Sequence, residues 1–283
     1  MLTATANAKL NLYLHIHGKR EDGYHLIETL VAFTRFGDEL SVVADDDVSL
    51  IVKGEFADIA GAGDDNLVLR AAWALQEACK VEQGARITLT KHIPVGAGLG
   101  GGSADAAAVL KLLCKLWAVI PSRVQMHEIA VSLGADVPMC LEGKPLVARG
   151  IGEDVSPLAE ALPPLHVVLV YPHVALSTPS VYQRYQHEQI LPTPAPDGIT
   201  ARTFFDSLKL TRNQLQRAAI SLSPEVAEVL LVLEGYPQAG MVRMCGSGST
   251  SMALVDNAAA AEAMAKDIAK RYPHWWVKTT QVA

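Results

Sequence analysis

The sequence predicts a two-lobed α+β protein, and three observations carry that prediction. Segments of strand period alternate with segments of helical period, without the long apolar runs that buried parallel strands show. A glycine-rich run, Pro94 to Ala107, stands directly ahead of one helical segment, with five glycines in the seven positions from Gly96 to Gly102. At 283 residues the chain is long enough for about two domains, each with a sizeable core. Ser156-Pro157 marks the expected boundary, giving lobes of residues 1–156 and 157–283.

The elements follow in order. Leu10, Leu12, Leu14 and Ile16 alternate with Lys9, Asn11, Tyr13 and His15, the pattern of a strand with one apolar and one polar face. Lys9 and Asn11 therefore point the same way. Further strands are expected over 39–44, 48–53, 86–92 and 145–149, with a helix over 66–80 and a solvated turn at Asp45-Asp46-Asp47. The glycine run leads into a helix reaching about Trp117, with Ser103 placed to cap it and Asp105 in its first turn. Ser122 caps a second helix that Gly134 ends, which throws Asp136 onto the following turn.

In the second lobe a strand is expected over 165–171. Thr178-Pro179 then supplies an N-cap and a proline at the first helical position, starting a helix that carries Tyr182. Pro192, Pro194, Pro196 and Gly198 mark an irregular loop. A helix from Pro224, a strand leading to Cys245, a second glycine loop, a strand over 252–255, a helix over 258–271 and a strand over 275–282 complete the chain.

Composition narrows the function. Half of the residues are hydrophobic, 19% are charged and the net charge is −6, ordinary values for a globular protein that offers no general attraction to nucleic acid or anionic membranes. No apolar run approaches the length of a membrane span, and Asn7, Lys9 and Asn11 interrupt the N-terminus where a signal peptide needs its apolar stretch. The expected location is the cytoplasm, with no nucleic-acid or membrane partner. Cys79, Cys114, Cys140 and Cys245 lie far apart without metal-ligand spacing and read as buried free thiols. His15 and His17 read as neighbours on one strand face; no metal site is expected.

The glycine run reads as a phosphate cradle. Without Cβ atoms, successive backbone N–H groups can close on an anion, and the positive end of the following helix adds attraction. The run lacks the Gly-Lys-Ser/Thr of a P-loop. Gly96, Gly98 and Gly101 form a G-x-G-x-x-G, but the acidic residue that a dinucleotide site needs about twenty positions on is absent; residues 117–123 stand there instead.

From Pro94 to Ala106 the run resembles the phosphate loop of the GHMP kinases, and two more motifs of that superfamily stand in place: Ala8-Lys9-Leu10-Asn11-Leu12 and Gly246-Ser247-Gly248-Ser249-Thr250. The elements Arg20 to His25, Asn66-Leu67-Val68, Leu133 to Pro138 and Ser177 to Tyr182 are similar to the branch that phosphorylates the 2-hydroxyl of CDP-methylerythritol. The resemblance spans nearly the whole chain. It implies an N-terminal lobe of the ribosomal-protein-S5-like kind, a ferredoxin-like C-terminal lobe, an active site between them, ATP as phosphoryl donor and Mg²⁺ to neutralise its outer phosphates.

The resemblance also implies roles. Asp136 is the expected general base and Lys9 the cation that keeps it ionised and offsets developing charge. Gly96, Gly98, Leu99, Gly100, Gly101, Gly102 and Ser103 hold the ATP phosphates, with Pro94 and Asn66 bordering the nucleotide. Tyr24 and Tyr182 offer faces for stacking the cytosine and His25 a polar group for its edge. Asn11, Thr178, Gly246 and Ser247 are assigned to the rest of the substrate. Lys91 and His92 either reach the nucleotide or form a solvated pair. The Asn-Asp-Leu-Glu common in the second lobe of the family reads Asn213-Gln214-Leu215-Gln216 here, and helix packing is the expected role of that segment. A kinase of another small alcohol and a non-catalytic nucleotide binder are the competing readings; Tyr24, His25 and Tyr182 weigh against the first, Lys9 and Asp136 against the second.

Overall fold

Two long strands organise the first half of the chain: β1 (Leu2–Lys19) and β2 (His25–Asp45) pair antiparallel along nearly their whole length. The computed structural model describes residues 1–186 and 204–282, so the expected loop at Pro192, Pro194, Pro196 and Gly198 lies outside the described residues. β3 (Val48–Gly54) runs parallel to β4 (Gly84–Lys91), and β4 pairs antiparallel with the far half of β2. β5 (Leu146–Arg149) pairs with the near half of β2, and β6 (Asp154–Pro157) closes that edge.

Both β1 and β2 are much longer than alternation predicts, and the reason is burial on two faces. From Ala8 to Ile16 every residue of β1 is buried, including Lys9, Asn11 and His15, and Leu30 to Phe33 form a continuous apolar run in β2. A strand covered on both sides loses the period-two signal. One face carries α2 (Leu67–Cys79), α3 (Gly101–Leu116), α4 (Arg123–Leu133) and α5 (Val137–Glu142), while the short α1 (Ala57–Ala60) links β3 to α2.

Capping sets where these helices begin. The Asn66 side chain accepts from Val68 N at 2.9 Å, and Ser122 with Gln125 forms a reciprocal capping box. Gly134 closes α4 as expected. The start of α3 differs from the expectation. Gly100 takes the N-cap position with φ +65°, so Ser103 is the third helical residue rather than the cap, and Asp105 lies beyond the first turn and is buried. A left-handed glycine turns the chain tightly enough for the helix to begin immediately after it.

The second sheet is antiparallel throughout, in the order β10-β7-β9-β8: β7 (His166–Tyr171), β8 (Ala239–Met244), β9 (Ser251–Val255) and β10 (Trp276–Gln281). Val168 and Val170 pack under α9 (Glu225–Glu234) and α10 (Ala258–Arg271) through Val229, Leu233, Met264 and Ile268. On the opposite face Val167, Leu169 and Leu254 share one core with Leu10, Leu12 and Leu30 of the first sheet. Each such fully buried side chain contributes about 1.5–3 kcal/mol, so the two sheets are held together by core rather than by a linker. α6 (Thr178–Gln186), α7 (Phe204–Lys209) and α8 (Gln216–Leu222) complete the second half. α6 begins at Thr178, with Ser177 Oγ accepting from Ser180 N at 3.4 Å, so Thr178 is the first helical residue and not the cap. Among the described residues no helix is long and apolar enough to cross a membrane.

The Asn213-Gln214-Leu215-Gln216 segment does more than pack a helix. Asn213 Nδ2 donates to Met244 O at 2.9 Å and to Gly246 O at 2.7 Å, Gln214 Oε1 accepts from Ile16 N, and Gln216 Oε1 accepts from Met244 N at 3.1 Å. Neutral amides suit this buried place because each bridges backbone groups without bringing in a charge. Asn213→Ala removes the donor to two carbonyls, and urea unfolding should show a loss of about 2–4 kcal/mol. A loss below about 0.5 kcal/mol would make the bridge incidental.

Candidate active site

The site begins with a buried lysine. Lys9 sits in the middle of β1 with its side chain only 5% exposed, and such a charge is costly unless paired. Its Nζ donates to Asn11 Oδ1 at 2.9 Å and lies 3.1 Å from Asp136 Oδ2. Asn11 is fixed in turn by donating to Thr29 Oγ1 at 2.8 Å, and Thr29 donates to Tyr13 O at 2.5 Å. Strand period places Lys9 and Asn11 on one face, and β2 supplies the hydroxyl that orients the amide.

Asp136 stands at the N-cap position of α5, yet its side chain caps nothing. The carboxylate is left to face Lys9 and remains 38% exposed, open to the cavity that it lines. Burial, together with the Asp136 charge, pushes the Tyr182 hydroxyl above the usual range for tyrosine.

The glycine run closes over Lys9. Lys9 N donates to Leu99 O at 2.8 Å, and a Cβ on Gly100 would stand 2.9 Å from Lys9 Cε. The first backbone N–H groups of α3 have no partner within the helix and carry its positive dipole end, as a phosphate cradle requires. The second glycine loop locks onto the first. Thr250 N donates to Ala97 O at 3.2 Å, and a Cβ on Gly98, where φ is +79°, would collide with Cys245 O.

The other end of the cavity is aromatic. A turn at residues 20–24 between β1 and β2 presents Tyr24, which is 58% exposed. His25 stacks on Tyr182 of α6, ring centroids 5.0 Å apart and tilted by 28°. Burial, aided by the charge of Lys19, lowers the His25 pKa and favours the neutral ring, with one donor and one acceptor. Thr178 Oγ1 and Ser247 Oγ lie 2.8 Å apart, tying α6 to the second glycine loop.

The residues to which the resemblance assigns roles all line one cavity of about 910 Å³: Lys9, Asn11, Tyr24, His25, Asn66, Pro94, the run from Gly96 to Ser103, Asp136, Thr178, Tyr182, Gly246 and Ser247. Among the described residues no cluster of three or more histidines, cysteines or acids could hold a metal by itself. Burial lowers the His15 pKa to about 4, with His17 adding to the effect. The buried Cys140 and Cys245 thiols are both raised by burial, the latter to about 12.

The sequence leaves Lys91 open between reaching the nucleotide and a solvated pair; burial rules out the solvated pair, and Lys91 lines the cavity. It is buried, with its Nζ bound to Asp38 Oδ2 and, at 2.7 Å, to Asp105 Oδ2. The signal is present in the sequence: Lys91 follows Ile87 and Leu89 at strand period, so it faces inward, and an inward lysine needs acids. His92 instead points outward, its ring 4.0 Å from Glu39.

Comparison with known proteins gives a consistent picture. The GHMP kinases N terminal domain matches residues 66–144 and the GHMP kinases C terminal domain residues 202–274. A 4-diphosphocytidyl-2-C-methyl-D-erythritol kinase of Chelativorans sp. (strain BNC1) is 42% identical over 99% of this chain and 96% of its own. One of Paramagnetospirillum magneticum is 43% identical over 98% and 97%. A crystal structure of a 4-(cytidine 5'-diphospho)-2C-methyl-D-erythritol kinase superposes with TM-score 0.80 at 36% identity, covering all of both chains. Homoserine kinase from Cytophaga hutchinsonii shares the fold, with TM-score 0.70 at 18% identity over all of this chain and 96% of its own.

The interlocked glycines give a direct test. Gly98→Ala forces a side chain against the Cys245 carbonyl in a left-handed conformation, and unfolding should show a loss of about 2–4 kcal/mol. Gly102→Ala meets nothing nearer than Leu67 Cδ1 at 3.5 Å and should hold stability within about 1 kcal/mol of the parent. Equal stability of Gly98→Ala and the parent would mean that the two loops do not depend on each other.

Proposed function

Because the chain belongs to the family of 4-diphosphocytidyl-2-C-methyl-D-erythritol kinases, within the GHMP kinases, we infer that it transfers the γ-phosphoryl group of ATP to the 2-hydroxyl of that CDP-linked alcohol. The observation that carries the mechanism is the 3.1 Å pair of Lys9 and Asp136, set in one cavity with a phosphate cradle at one end and aromatic rings at the other.

The pair suits the transfer. The substrate 2-hydroxyl comes beside Asp136, the partly exposed carboxylate accepts its proton, and the oxygen attacks the γ-phosphorus as the bond to the β,γ-bridging oxygen breaks and ADP leaves. Lys9 holds Asp136 in place and offsets negative charge on the transferring group. Backbone N–H groups from Gly100 to Ser103 receive the phosphates at the head of α3, and Asn66 and Pro94 border the nucleotide. At the far end, cytosine lies against Tyr24 and the free face of Tyr182, with His25 at its edge. Asn11, Thr178, Gly246 and Ser247 line the span between, where the methylerythritol and diphosphate oxygens need partners.

Mg²⁺ fits this site as a companion of the nucleotide. No acidic cage is present among the described residues, and within the run from Gly96 to Ser103 only Ser103 carries a side-chain oxygen. Phosphate oxygens, waters and the Ser103 hydroxyl would hold the ion, which supplies charge neutralisation on the outer phosphates. We propose lobes of residues 1–156 and 157–283, and a cytoplasmic enzyme without nucleic-acid or membrane partners.

Asp136→Asn keeps the shape and removes the proton acceptor, so kcat should fall about 10²- to 10⁴-fold with ATP affinity nearly unchanged. Lys9→Met should also lower kcat, and the double variant should lose less than the product of the two factors. A near-normal rate for Asp136→Asn would remove the carboxylate from the mechanism.

Tyr24→Ala and Tyr182→Ala each remove one stacking face. Each should raise KM for the cytidine substrate about 5- to 150-fold, leave KM for ATP nearly alone, and be restored by phenylalanine. Unchanged cytidine KM in both variants would contradict the assignment of this end of the cavity.

A further inference from the structure

Directly beneath the phosphate cradle lies a charged cluster that the chemistry above does not use. Lys91, at the end of β4, binds Asp38 of β2 and Asp105 of α3, and all three side chains are at most 3% exposed. Asp38 also holds backbone: its Oδ1 accepts from His92 N at 2.5 Å and from Ile93 N at 2.8 Å, the two residues that lead into Pro94. Lys91 Nζ lies 3.3 Å from where a Cβ on Gly101 would stand, and Ile93 Cγ2 lies 3.0 Å from the same point. Both ends of the cradle, the 92–94 segment and the first turns of α3, therefore hang on one ammonium group.

Burying three ionisable groups is expensive, and an apolar core of the same shape is often as stable. Asp105 keeps one oxygen, Oδ1, without a partner, so its burial is not fully offset. Burial and the neighbouring Asp38 raise the Asp105 pKa, while Lys91 opposes that rise. For Lys91 burial acts downward, and the two carboxylates overcome it and hold the ammonium charged. A cluster so costly, placed under a functional loop and contacting both of its ends, has a geometric role to perform.

We propose that Asp38, Lys91 and Asp105 are positioning residues for the nucleotide, fixing the spacing between the 92–94 segment and the head of α3 so that the cradle N–H groups converge on the phosphates. The proposal rests on the reading of this cavity as an ATP site. Asp105 is the member that ties the lysine to the helix, and its loss frees one end of the cradle while Asp38 keeps the other. The cytidine end, formed by Tyr24, His25 and Tyr182, has no contact with the cluster and should not respond.

The test compares Asp105→Leu with Asp105→Asn in the full-length protein, measuring the Kd of ATP and of CDP by titration calorimetry along with the melting temperature. Asp105→Leu should weaken ATP about tenfold or more and leave CDP unchanged, and Asp105→Asn, which keeps an acceptor for Lys91, should hold ATP within about threefold of the parent. A folded Asp105→Leu protein with parental ATP affinity would overturn the proposal, as would parallel losses of ATP and CDP. Should Asp105→Leu not fold, hydrogen exchange on the parent protein decides: ATP, and not CDP, should slow exchange of the His92 and Ile93 amides, and unchanged rates would reject the positioning role. Failure of the parent itself to bind ATP would count against the nucleotide site and not against this cluster alone.

Discussion

The buried ammonium group of Lys9 organises the centre of this site. Lys9 lies inside a strand covered on both faces, where an unpaired charge costs several kcal/mol, and the surroundings supply what that charge needs. Asn11 offers a carbonyl, Asp136 a carboxylate, and Gly100 the space that any side chain would take. Each of these comes from a different element: β1 itself, the turn after α4, and the cradle ahead of α3. Meeting the needs of one charge thus brings the proposed base and the phosphate loop to the same point.

The second lobe enters through the glycine loops. Backbone passes so close at Gly98 and Gly246 that neither position has room for Cβ, and the hydrogen bond from Thr250 to Ala97 joins the loops directly. Asn213 secures the second loop from behind, and the Thr178 and Ser247 hydroxyls connect it to the helix that carries Tyr182. The aromatic end is thereby positioned relative to the cradle through packed backbone, which limits the variation in distance that a reaction between two bound substrates can tolerate.

Much of this is legible in the sequence, for identifiable reasons. Strand period puts Lys9 and Asn11 on one side, Gly134 ends a helix where Asp136 has to turn, and glycine density announces the cradle. The length of β1 and β2 is not legible, because burial on both faces erases alternation and leaves only an apolar run of uncertain extent. The start of α3 departs from the serine-cap expectation because Gly100, in a conformation that disfavours other residues, has already made the turn before Ser103 is reached. The spacing of Lys91 from Leu89 and Ile87 points inward, but its partners, Asp38 and Asp105, lie 53 and 14 residues away in sequence and only the fold brings them together. The amides at Asn213, Gln214 and Gln216 read only as helix packing for the same reason, since their backbone partners belong to distant strands.

The proposed reading, a cavity that holds ATP against a cytidine-linked alcohol, requires the acceptor to be selected, and that selection is the most direct test. Steady-state ATP turnover should be measured with CDP-methylerythritol, mevalonate and homoserine at matched concentrations. The cytidine-linked substrate should exceed the others in kcat/KM by at least about 10³-fold, since only it can occupy the aromatic end while presenting a hydroxyl to Asp136. Comparable turnover of mevalonate or homoserine would contradict the assignment of the cavity.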